Sequence, residues 1–400
     1  MVRGGGFALA GKMTDQVMIV AKDRENQPVV LIESDSGVAD ACAALRDSPR
    51  LGVDTESNSM HAFRERVCTI QVTGSDGHYI FDTIAVSEPA LGEMFADPSV
   101  EKIFHGGVYD LGLLKRDFGY SFAGLFDTAI AAELLGFDKI GLAALVEKYC
   151  GVVLAKKYTT CDWARRPFSE GQIEYLYQDT RFLFELADAL SRELAERDLT
   201  DEARFEFERL ADIPPLAPSF ARAVVWNVKG IDAVETEAGL RVLNRLFLWR
   251  QDKARELDRP PFKVLGNQAM LEIASRLPRA RDEFLAVKGV TRRVWDRFGR
   301  DLVAAVSLGL AGEGEGPPPR PAPKPFPPGW ERRLTGRLKD WRNRTAERLG
   351  VGRSAVLPTR SLKEIVRLRP RTPEALAAVE GLGAARFRKY GGEILRILGT

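Results

Sequence analysis

Two acidic side chains, Asp54 and Glu56, interrupt an otherwise apolar, strand-like segment at residues 51–57. A spacing of two residues places both carboxylates on the same face of a strand. Because two adjacent negative charges repel each other, the pattern favours a cation bound between them. The alternative interpretation is a strand that ends in a polar loop.

Three further polar residues fit the same kind of site. Asp110 opens a predicted helix directly after a strand and two glycines, where α/β proteins bind ligands. Tyr175 and Asp179 are four residues apart and therefore share one face of a predicted helix at residues 169–195. Taken singly, Asp110 also fits a residue that stabilises a helix N-terminus, and Tyr175 also fits a packing residue.

Together these side chains predict a metal site built only from oxygen ligands. Its proposed members are Asp54, Glu56, Asp110, Tyr175 and Asp179. Carboxylate oxygens suit Mg²⁺ or Mn²⁺, whereas a zinc site would use His or Cys at ligand spacing. Two such ions about 3.5 to 4 Å apart can hold the attacking and leaving oxygens of a phosphodiester. The predicted chemistry is phosphodiester hydrolysis with two divalent metal ions.

The elements that must position these residues alternate between strands and helices. Strands are predicted at residues 16–21, 28–32, 51–56, 67–72, 78–81 and 102–105. Helices are predicted at residues 38–45, 90–95, 109–116, 127–135, 142–149 and 169–195. The strands near 51, 67 and 78 lie too close together for crossover helices, which indicates an antiparallel meander. The front half is therefore predicted to be a mixed sheet flanked by helices.

The C-terminal part of the chain repeats itself at a constant offset of 92 residues. Trp249 and Arg250, for example, recur as Trp341 and Arg342. Both copies show helical apolar spacing, which predicts two small all-α modules. Residues 311–329 between them contain eight prolines among nineteen residues, so we expect a semi-rigid spacer that tethers the second module.

The net charge of +2 conceals a strong asymmetry along the chain. Residues 1–210 carry a net charge of −13, whereas residues 331–400 carry +10. Such a division is expected when one module gathers carboxylates and another attracts a polyanion. Ordinary variation between the surfaces of domains is the alternative explanation.

The motifs resemble those of the tyrosine-bearing branch of the DEDD exonuclease superfamily, which has an RNase H-like fold. Residues 126–128 (FDT) and 161–168 (CDWARRPF) are similar to the sequences that the ribonuclease D family has between its acidic motifs. The two C-terminal modules resemble HRDC domains. The resemblance implies an α/β RNase H-like exonuclease domain followed by two small all-α domains.

The expected domain boundaries follow from this resemblance and from the composition. They are a flexible tail at 1–14, an exonuclease domain at 15–205, a connector at 206–235, a first HRDC-like domain at 236–310, a proline-rich linker at 311–329 and a second HRDC-like domain at 330–400.

The resemblance also implies a role for each site residue. Asp54, Glu56 and Asp179 would hold one metal ion, and Asp54 with Asp110 would hold the second. Tyr175 would orient, and help to deprotonate, the attacking water, with positioning as its main role. The sequence departs from the family where Gly106 and Gly107 follow the histidine of the second motif and where Thr159 and Cys161 replace a glutamine and a serine.

Several other residues are candidate substrate contacts. They are His105, Trp163, Arg165, Arg166, Arg386, Arg388 and Lys389. A structural hydrogen bond for His105 and a core position for Trp163 are the alternatives. Arg165 and Arg166 fit either phosphate contact or fixation of their own loop.

The resemblance implies a 3′-5′ exoribonuclease that trims structured RNAs with a free 3′ end, such as precursor tRNA, and releases nucleoside 5′-monophosphates. A 3′-5′ DNA exonuclease and a non-catalytic RNA-binding scaffold are the alternatives. No apolar run approaches the roughly 20 residues of a membrane span, and the first twelve residues lack a signal-peptide core. We expect a cytoplasmic monomer without a membrane partner, whose four cysteines are reduced packing residues.

Overall fold

The computed structural model of the chain describes residues 18–23, 25–155, 157–218, 224–312, 316–320, 322 and 326–399. The predicted tail at 1–14 lies outside these residues. None of the helices in the described part of the chain is long and apolar enough to cross a membrane. All four cysteines are free thiols.

A single mixed sheet organises the front half of the chain. Its seven strands are β1 (Met18–Lys22), β2 (Pro28–Ile32), β3 (Arg50–Ser57), β4 (Val67–Thr73), β5 (His78–Asp82), β6 (Glu101–Phe104) and β7 (Leu125–Asp127). They lie in the order β1-β2-β5-β4-β3-β6-β7. Strand β5 pairs antiparallel with β4 but parallel with β2, and β6 pairs parallel with both β3 and β7. The predicted mixed sheet is confirmed.

Eight helices accompany this sheet. They are α1 (Asp35–Leu45), α2 (Gly92–Ala96), α3 (Val108–Phe118), α4 (Thr128–Leu134), α5 (Leu142–Cys150), α6 (Glu170–Arg181), α7 (Leu183–Glu196) and α8 (Thr200–Ala211). Apolar strand residues such as Val53, Ile70 and Ile103 are buried in one large core with helix residues such as Leu186. Burial of this apolar surface is the main force that holds the helices on the sheet.

Three features of the front half differ from the sequence prediction. Helix α8 was not predicted, and it extends past the expected domain boundary at residue 205. The single helix predicted at 169–195 is two helices, α6 and α7, which meet at Phe182. No glycine or proline marks this break, so the continuous helical periodicity of the sequence conceals it. Strand β7 was not predicted, because three residues are too few to show a periodicity.

The C-terminal half contains two sets of five helices. The first set is α9 (Glu237–Glu256), α10 (Pro261–Val264), α11 (Asn267–Arg276), α12 (Arg281–Leu285) and α13 (Arg292–Ala311). The second is α14 (Gly329–Leu349), α15 (Arg353–Val356), α16 (Thr359–Leu368), α17 (Pro373–Ala377) and α18 (Ala384–Leu398). Each helix of the second set begins 92 residues after its counterpart in the first, so the predicted pair of all-α modules is confirmed.

The two modules also repeat their internal polar contacts. The buried guanidinium group of Arg250 donates to the carbonyl oxygen of Leu265 at 3.1 Å, and Arg342 makes the same contact with Leu357 at 3.2 Å. The indole N–H of Trp249 donates to Asp301, and that of Trp341 donates to Glu393. Because buried polar groups need hydrogen-bond partners, the same buried pairs in both modules indicate that the two modules pack in the same way.

The described residues form two compact units whose composition does not follow the linear order of the modules. The first unit comprises the described residues of Met1–Glu56, Val67–Leu216 and Phe326–Thr400, and the second those of Ser57–Arg66 and Ala217–Pro325. The first unit therefore holds both the sheet and the second helical module. The second unit holds the first helical module and the loop between β3 and β4.

Within the first unit, the second helical module is docked directly on the sheet domain. The Gly352 amide donates to the carbonyl oxygen of Leu134 at 2.8 Å, and Arg197 donates to the carbonyl oxygen of Gly350 at 2.8 Å. A Cβ atom at Gly352 would lie 1.8 Å from the carbonyl oxygen of Glu133, so only glycine fits this contact. The expected tether at residues 311–329 is thus not the only link between the second module and the sheet domain, because backbone contacts of this kind leave no signature in the sequence pattern.

Within the second unit, the loop at Ser57–Arg66 is part of the core of the first helical module. Phe63 is buried among the residues of this module. The carboxylate of Asp258 accepts hydrogen bonds from the backbone N–H groups of Phe63 and Arg64, at 3.1 and 3.2 Å. Residues 316–320 of the proline-rich spacer lie on the same module, since the Trp226 indole donates to the carbonyl oxygen of Pro318 at 2.9 Å.

Candidate active site

Three carboxylates come together at the centre of the sheet. Oxygen atoms of Asp54, Glu56 and Asp179 all lie within 4.8 Å of one another, and the three side chains are partly buried. Asp54 and Glu56 alternate along β3 with the buried residues Val53 and Thr55, so they share one face of the strand. The structure thus brings together three of the four carboxylates predicted from the sequence.

The sequence around these residues explains why α6 reaches β3. Helix α6 begins at a capping box, in which the Ser169 side chain and the Gln172 side chain each accept from the other's backbone N–H group. Near the end of the helix, the carbonyl oxygen of Thr180 lies so close to Gly52 that a Cβ atom there would be 3.0 Å away. The lack of a side chain at Gly52 allows α6 to place Asp179 beside β3.

The electrostatics of the cluster are those of a cation site. Burial, followed by repulsion from neighbouring carboxylates, raises the pKa of Glu56 to about 9. Burial and, to a lesser extent, repulsion from Asp110 raise the pKa of Asp179 to about 7, although Tyr175 opposes the shift. The same causes raise the pKa of Asp54 well above its usual range. An N–H contact from Trp163 opposes the shift at Glu56 only in part. Negative charge in this place is unfavourable unless a cation balances it.

Asp110 lies beside this cluster, in the first turn of α3. Its carboxylate accepts a hydrogen bond of 2.5 Å from the Thr55 hydroxyl. Burial raises the pKa of Asp110 to about 6, while the Thr55 hydrogen bond opposes the shift. Repulsion from Asp110 raises the pKa values of Asp54 and Glu56. Asp110 therefore contributes to the electrostatics of the cluster, although its oxygens are not among those that lie within 4.8 Å of one another.

Tyr175 is held by aromatic rings and by the cluster itself. Its ring packs against Trp163 and Tyr158, with centroid distances of 5.7 and 6.0 Å. Its hydroxyl hydrogen-bonds Asp179. Burial and the nearby carboxylates raise the pKa of Tyr175 well above its ordinary value. The phenol is therefore a weak base by itself and is suited to positioning a neighbouring group.

Two of the candidate substrate contacts are structural residues of the loop before α6. Trp163 is 1% exposed and packs in a small core, so it offers no ring face to a base. Arg166 forms a two-pronged ion pair with the buried Asp82 and donates to the carbonyl oxygens of Trp163 and Cys68. Burial of Trp163 and the satisfied donors of Arg166 fit fixation of this loop instead of substrate contact. Arg165 differs, because its side chain is 83% exposed.

His105 and the two glycines after it are organised by Asp127. The Asp127 carboxylate accepts from the backbone N–H groups of Gly106 and Gly107, at 3.1 and 2.8 Å, and also caps α4. Gly106 has a φ of +68°, which favours glycine. The His105 ring hydrogen-bonds the Thr128 hydroxyl at 2.8 Å, and burial lowers its pKa. The contacts of His105 therefore fit the alternative interpretation, a structural hydrogen bond.

The three basic residues predicted in the second helical module face α8 of the sheet domain. Arg386 is 1% exposed and forms an ion pair of 2.9 Å with Glu206. Arg388 pairs with Asp201 at 2.8 Å, and Lys389 pairs with Glu202 at 3.0 Å. Arg386 is 1% exposed, so its role is domain docking instead of substrate contact. Arg388, whose side chain is 65% exposed, and Lys389 stay predicted substrate contacts.

Sequence reasoning missed two residues that shape the site, Thr55 and Asp82, and predicted Asp127 only as a helix N-cap. Thr55 orients Asp110, Asp127 fixes the glycine turn, and Asp82 anchors the Arg166 loop. Thr55 lies between Asp54 and Glu56 on β3 and therefore on the opposite face of the strand, so the sequence pattern did not predict its hydrogen bond with Asp110. The contact between Asp82 and Arg166 spans 84 residues, so no local pattern predicts it.

A divalent cation fits the donor set. The clustered oxygens come from Asp and Glu side chains, which are the ligands that Mg²⁺ and Mn²⁺ prefer. Asp54, Glu56 and Asp179 would hold such an ion, and the raised pKa values show that the carboxylates need its charge. A hydrogen-bonded tyrosine beside them completes a site that can hydrolyse a phosphodiester.

Comparison with known proteins agrees with this geometry. A family described as 3′-5′ exonuclease matches residues 29–195, and the HRDC domain matches residues 239–306 and 331–398. Ribonuclease D of Gluconacetobacter diazotrophicus is 29% identical over 66% of this chain and 67% of its own length. The exosome complex component 10 homolog of Caenorhabditis elegans is 31% identical over 64% of this chain.

Solved structures show the same architecture. The catalytic core of RRP6 from Trypanosoma brucei has a TM-score of 0.64 and 25% identity, and the match covers 75% of this chain and 85% of that core. RNase D of Escherichia coli shares the fold, with a TM-score of 0.60 at 23% identity, over 92% of this chain and 98% of that protein.

The fold and the acidic site thus define a 3′-5′ exonuclease domain joined to two HRDC domains. The chain is similar to bacterial proteins named ribonuclease D and, over part of their length, to exosome-type proteins. It spans only about 30% of the length of the exosome-type relatives from nematode and plant.

Proposed function

We propose that this protein is a metal-dependent 3′-5′ exoribonuclease that trims structured RNAs and releases nucleoside 5′-monophosphates. The observation that carries the proposal is the group of oxygens from Asp54, Glu56 and Asp179, with Tyr175 hydrogen-bonded beside it. Relatives named ribonuclease D support RNA as the polymer. Precursor tRNA is the substrate that we infer within this class.

In the proposed site, Asp54, Glu56 and Asp179 would hold one Mg²⁺ or Mn²⁺ ion, and Asp54 and Asp110 would hold a second. When bound, such ions activate water and stabilise the oxygen that leaves the phosphorus atom. Asp110 is kept in place for this task by the Thr55 hydroxyl.

The remaining residues hold and orient the reactants. Tyr175 positions the water that attacks the terminal phosphodiester, because its ring is fixed by Trp163 and its hydroxyl by Asp179. The raised pKa of the phenol makes it a hydrogen-bonding group instead of the base that removes the proton. Arg165, which is exposed near this loop, is proposed to contact phosphates of the substrate.

We further propose that the protein acts as a monomer in the cytoplasm and that its partner is RNA with a free 3′ end. A second helical module that docks on the catalytic domain of its own chain supports a monomer.

The test is digestion of one sequence prepared as RNA and as DNA, labelled at either end, with Mg²⁺ and with a chelator. We expect 5′-labelled RNA to shorten stepwise, 3′-labelled RNA to release mononucleotide at once, and both reactions to stop with the chelator. Equal or faster digestion of the DNA would contradict the ribonuclease assignment.

A further inference from the structure

Four arginines follow one line on the first helix of the second helical module. Arg333, Arg337, Arg344 and Arg348 lie within about 60° of the circumference of α14, because their spacings of 4, 7 and 4 residues follow the helical repeat. All four are exposed. We call this set the arginine face. It extends over about 22 Å, at 1.5 Å per residue.

The first helical module provides an internal comparison, because its helix α9 matches α14 at the offset of 92 residues. The positions that match the arginine face are Arg241, Arg245, Asp252 and Glu256. The last two positions thus change from acidic in the first module to basic in the second. The packing beneath is the same in both, since Trp249 and Trp341 make equivalent contacts. The difference therefore concerns surface charge and leaves the fold unchanged.

The neighbouring helix changes in the same direction. In the first module, a groove between α9 and α13 is lined by Asp252, Glu256 and Ala304. The residue that matches Ala304 in the second module is Arg396, which is exposed on α18. It lies one turn after Glu393, the residue that accepts from the Trp341 indole. Three matched positions of this surface have therefore become arginine in the second module.

The arginine face also differs from the basic residues that dock the module. Arg386, Arg388 and Lys389 each have an acidic partner on α8. Among the residues that the structure describes, the ion pairs include none with a member of the arginine face. Asp340 and Glu347 lie along one edge of the face and leave an excess of positive charge. Like charges at a spacing of four residues destabilise a helix, so a polyanion is the partner that would relieve them.

We propose that the arginine face binds the phosphate backbone of the RNA substrate without reading its sequence, and that the matching surface of the first module does not. This inference rests on the proposed function for the identity of the polyanion. Arginine suits the role because its guanidinium group presents several donors to phosphate oxygens. A face of this length can contact several phosphates of one strand. The second module thus docks on the catalytic domain with one surface and holds RNA with another.

The test measures binding to the full chain in an Asp54→Asn background, in which the RNA is expected to stay intact. The probe is a fluorescent RNA hairpin with a single-stranded 3′ extension, titrated at several concentrations of monovalent salt. The variant R344D/R348E gives α14 the residues of the first module. We expect its affinity at low salt to fall about tenfold, and the slope of log affinity against log salt to decrease by about 1 to 2.

Three matched variants separate a local effect from a change in net charge. R279D/R281E makes the same change of charge on exposed residues of the first module and should reduce affinity by less than about threefold. R344K/R348K should keep most of the affinity and the salt slope. D252R/E256R gives the first module the arginines of the second and should raise affinity. Equal thermal unfolding of the variants would show that all of them fold.

The proposal is overturned if R344D/R348E binds the hairpin no more weakly than R279D/R281E does. That result would assign the arginine face to a different anionic partner, such as an acidic protein. Because the assay measures binding without cleavage, this failure is distinct from failure of the proposed function. The latter would appear as a wild-type protein that leaves labelled RNA intact in the presence of Mg²⁺.

Discussion

The backbone of Gly52 lies against the carbonyl oxygen of Thr180, to which a Cβ atom at position 52 would approach within 3.0 Å. This close approach joins the central strand to the helix that carries Asp179. The carboxylates of Asp54 and Asp179 come from positions 125 residues apart in sequence, and this contact sets how near they are. A residue without any reactive group therefore controls the geometry of the metal site.

Gly52→Ala is expected to reduce activity more than stability. The added methyl group must push α6 away from β3, at a cost of about 1–3 kcal/mol in the free energy of unfolding. A shift of Asp179 by a fraction of an ångström should lower the trimming rate about ten- to a hundredfold. Thermal unfolding and single-turnover trimming measure the two effects. Full activity in Gly52→Val, which carries a larger side chain, would contradict the role assigned to this contact.

Asp54→Asn is expected to stabilise the protein when metal is removed by a chelator. A carboxyl group whose pKa is raised by folding contributes stability at low pH, and this contribution is lost as the pH rises through the folded-state pKa. For Glu56 this loss extends from about pH 4.3, its value in an unfolded chain, to about 9. The chelated wild type should therefore lose stability as the pH rises from about 5 to 9.

Removal of one negative charge in Asp54→Asn should reduce the loss of stability that the chelated protein undergoes as the pH rises. At pH 8 we expect chelated Asp54→Asn to be about 1–3 kcal/mol more stable than chelated wild type. Added Mg²⁺ should stabilise the wild type and leave the variant nearly unchanged. Denaturant unfolding at pH 5 and pH 8 measures both effects. A variant less stable than wild type at pH 8 would show that the carboxylates do not repel each other as described.

Tyr175→Phe is expected to lower the trimming rate about a hundredfold while metal affinity changes little, because the phenol positions water and is not among the clustered carboxylates. Titration with Mn²⁺, followed by its electron paramagnetic resonance signal, measures the affinity. The raised pKa of Tyr175 also predicts that its ionisation does not appear in the pH profile below about pH 9. A wild-type rise in rate near neutral pH that disappears in Tyr175→Phe would identify the phenol as the base instead.

Glu206→Gln is expected to weaken docking of the second HRDC domain. Glu206 accepts from both Arg386 and Arg360, and Arg386 is fully buried, so the change leaves a buried positive charge without its partner. We expect a loss of about 3 kcal/mol in the free energy of unfolding. Arg388→Ala is the matched control, because its ion pair is exposed and should contribute less than about 1 kcal/mol. Equal losses in the free energy of unfolding of Glu206→Gln and Arg388→Ala would contradict the larger contribution assigned to the buried ion pair.

The sequence predicted most of this architecture because strands and helices with buried faces have clear periodicities. Strand β2 has the predicted bounds, and the strands that carry Asp54 and precede Asp110 differ from prediction by one residue at their ends. The helical repeat was visible because buried pairs such as Trp249 with Asp301 occur twice.

The remaining features depend on contacts between distant residues. Arg386 has the same charge as an exposed arginine, and only its position against Glu206 makes it a docking residue. The sequence position of Trp163 is compatible with base stacking, whereas in the structure Trp163 is buried and its ring packs against Tyr175. The break between α6 and α7 has no composition signal, because the apolar face continues across Phe182. Such features follow from packing in three dimensions, which a local pattern does not contain.

The most direct test of the carboxylate site is the single-turnover rate of 3′ trimming of 5′-labelled RNA with saturating Mg²⁺, in wild type, Asp54→Asn and Glu174→Gln. Glu174 lies exposed on the same helix as Asp179 but outside the cluster. We predict that Asp54→Asn loses at least about a thousandfold in rate and that Glu174→Gln keeps the wild-type rate. Undiminished trimming by Asp54→Asn would contradict the account.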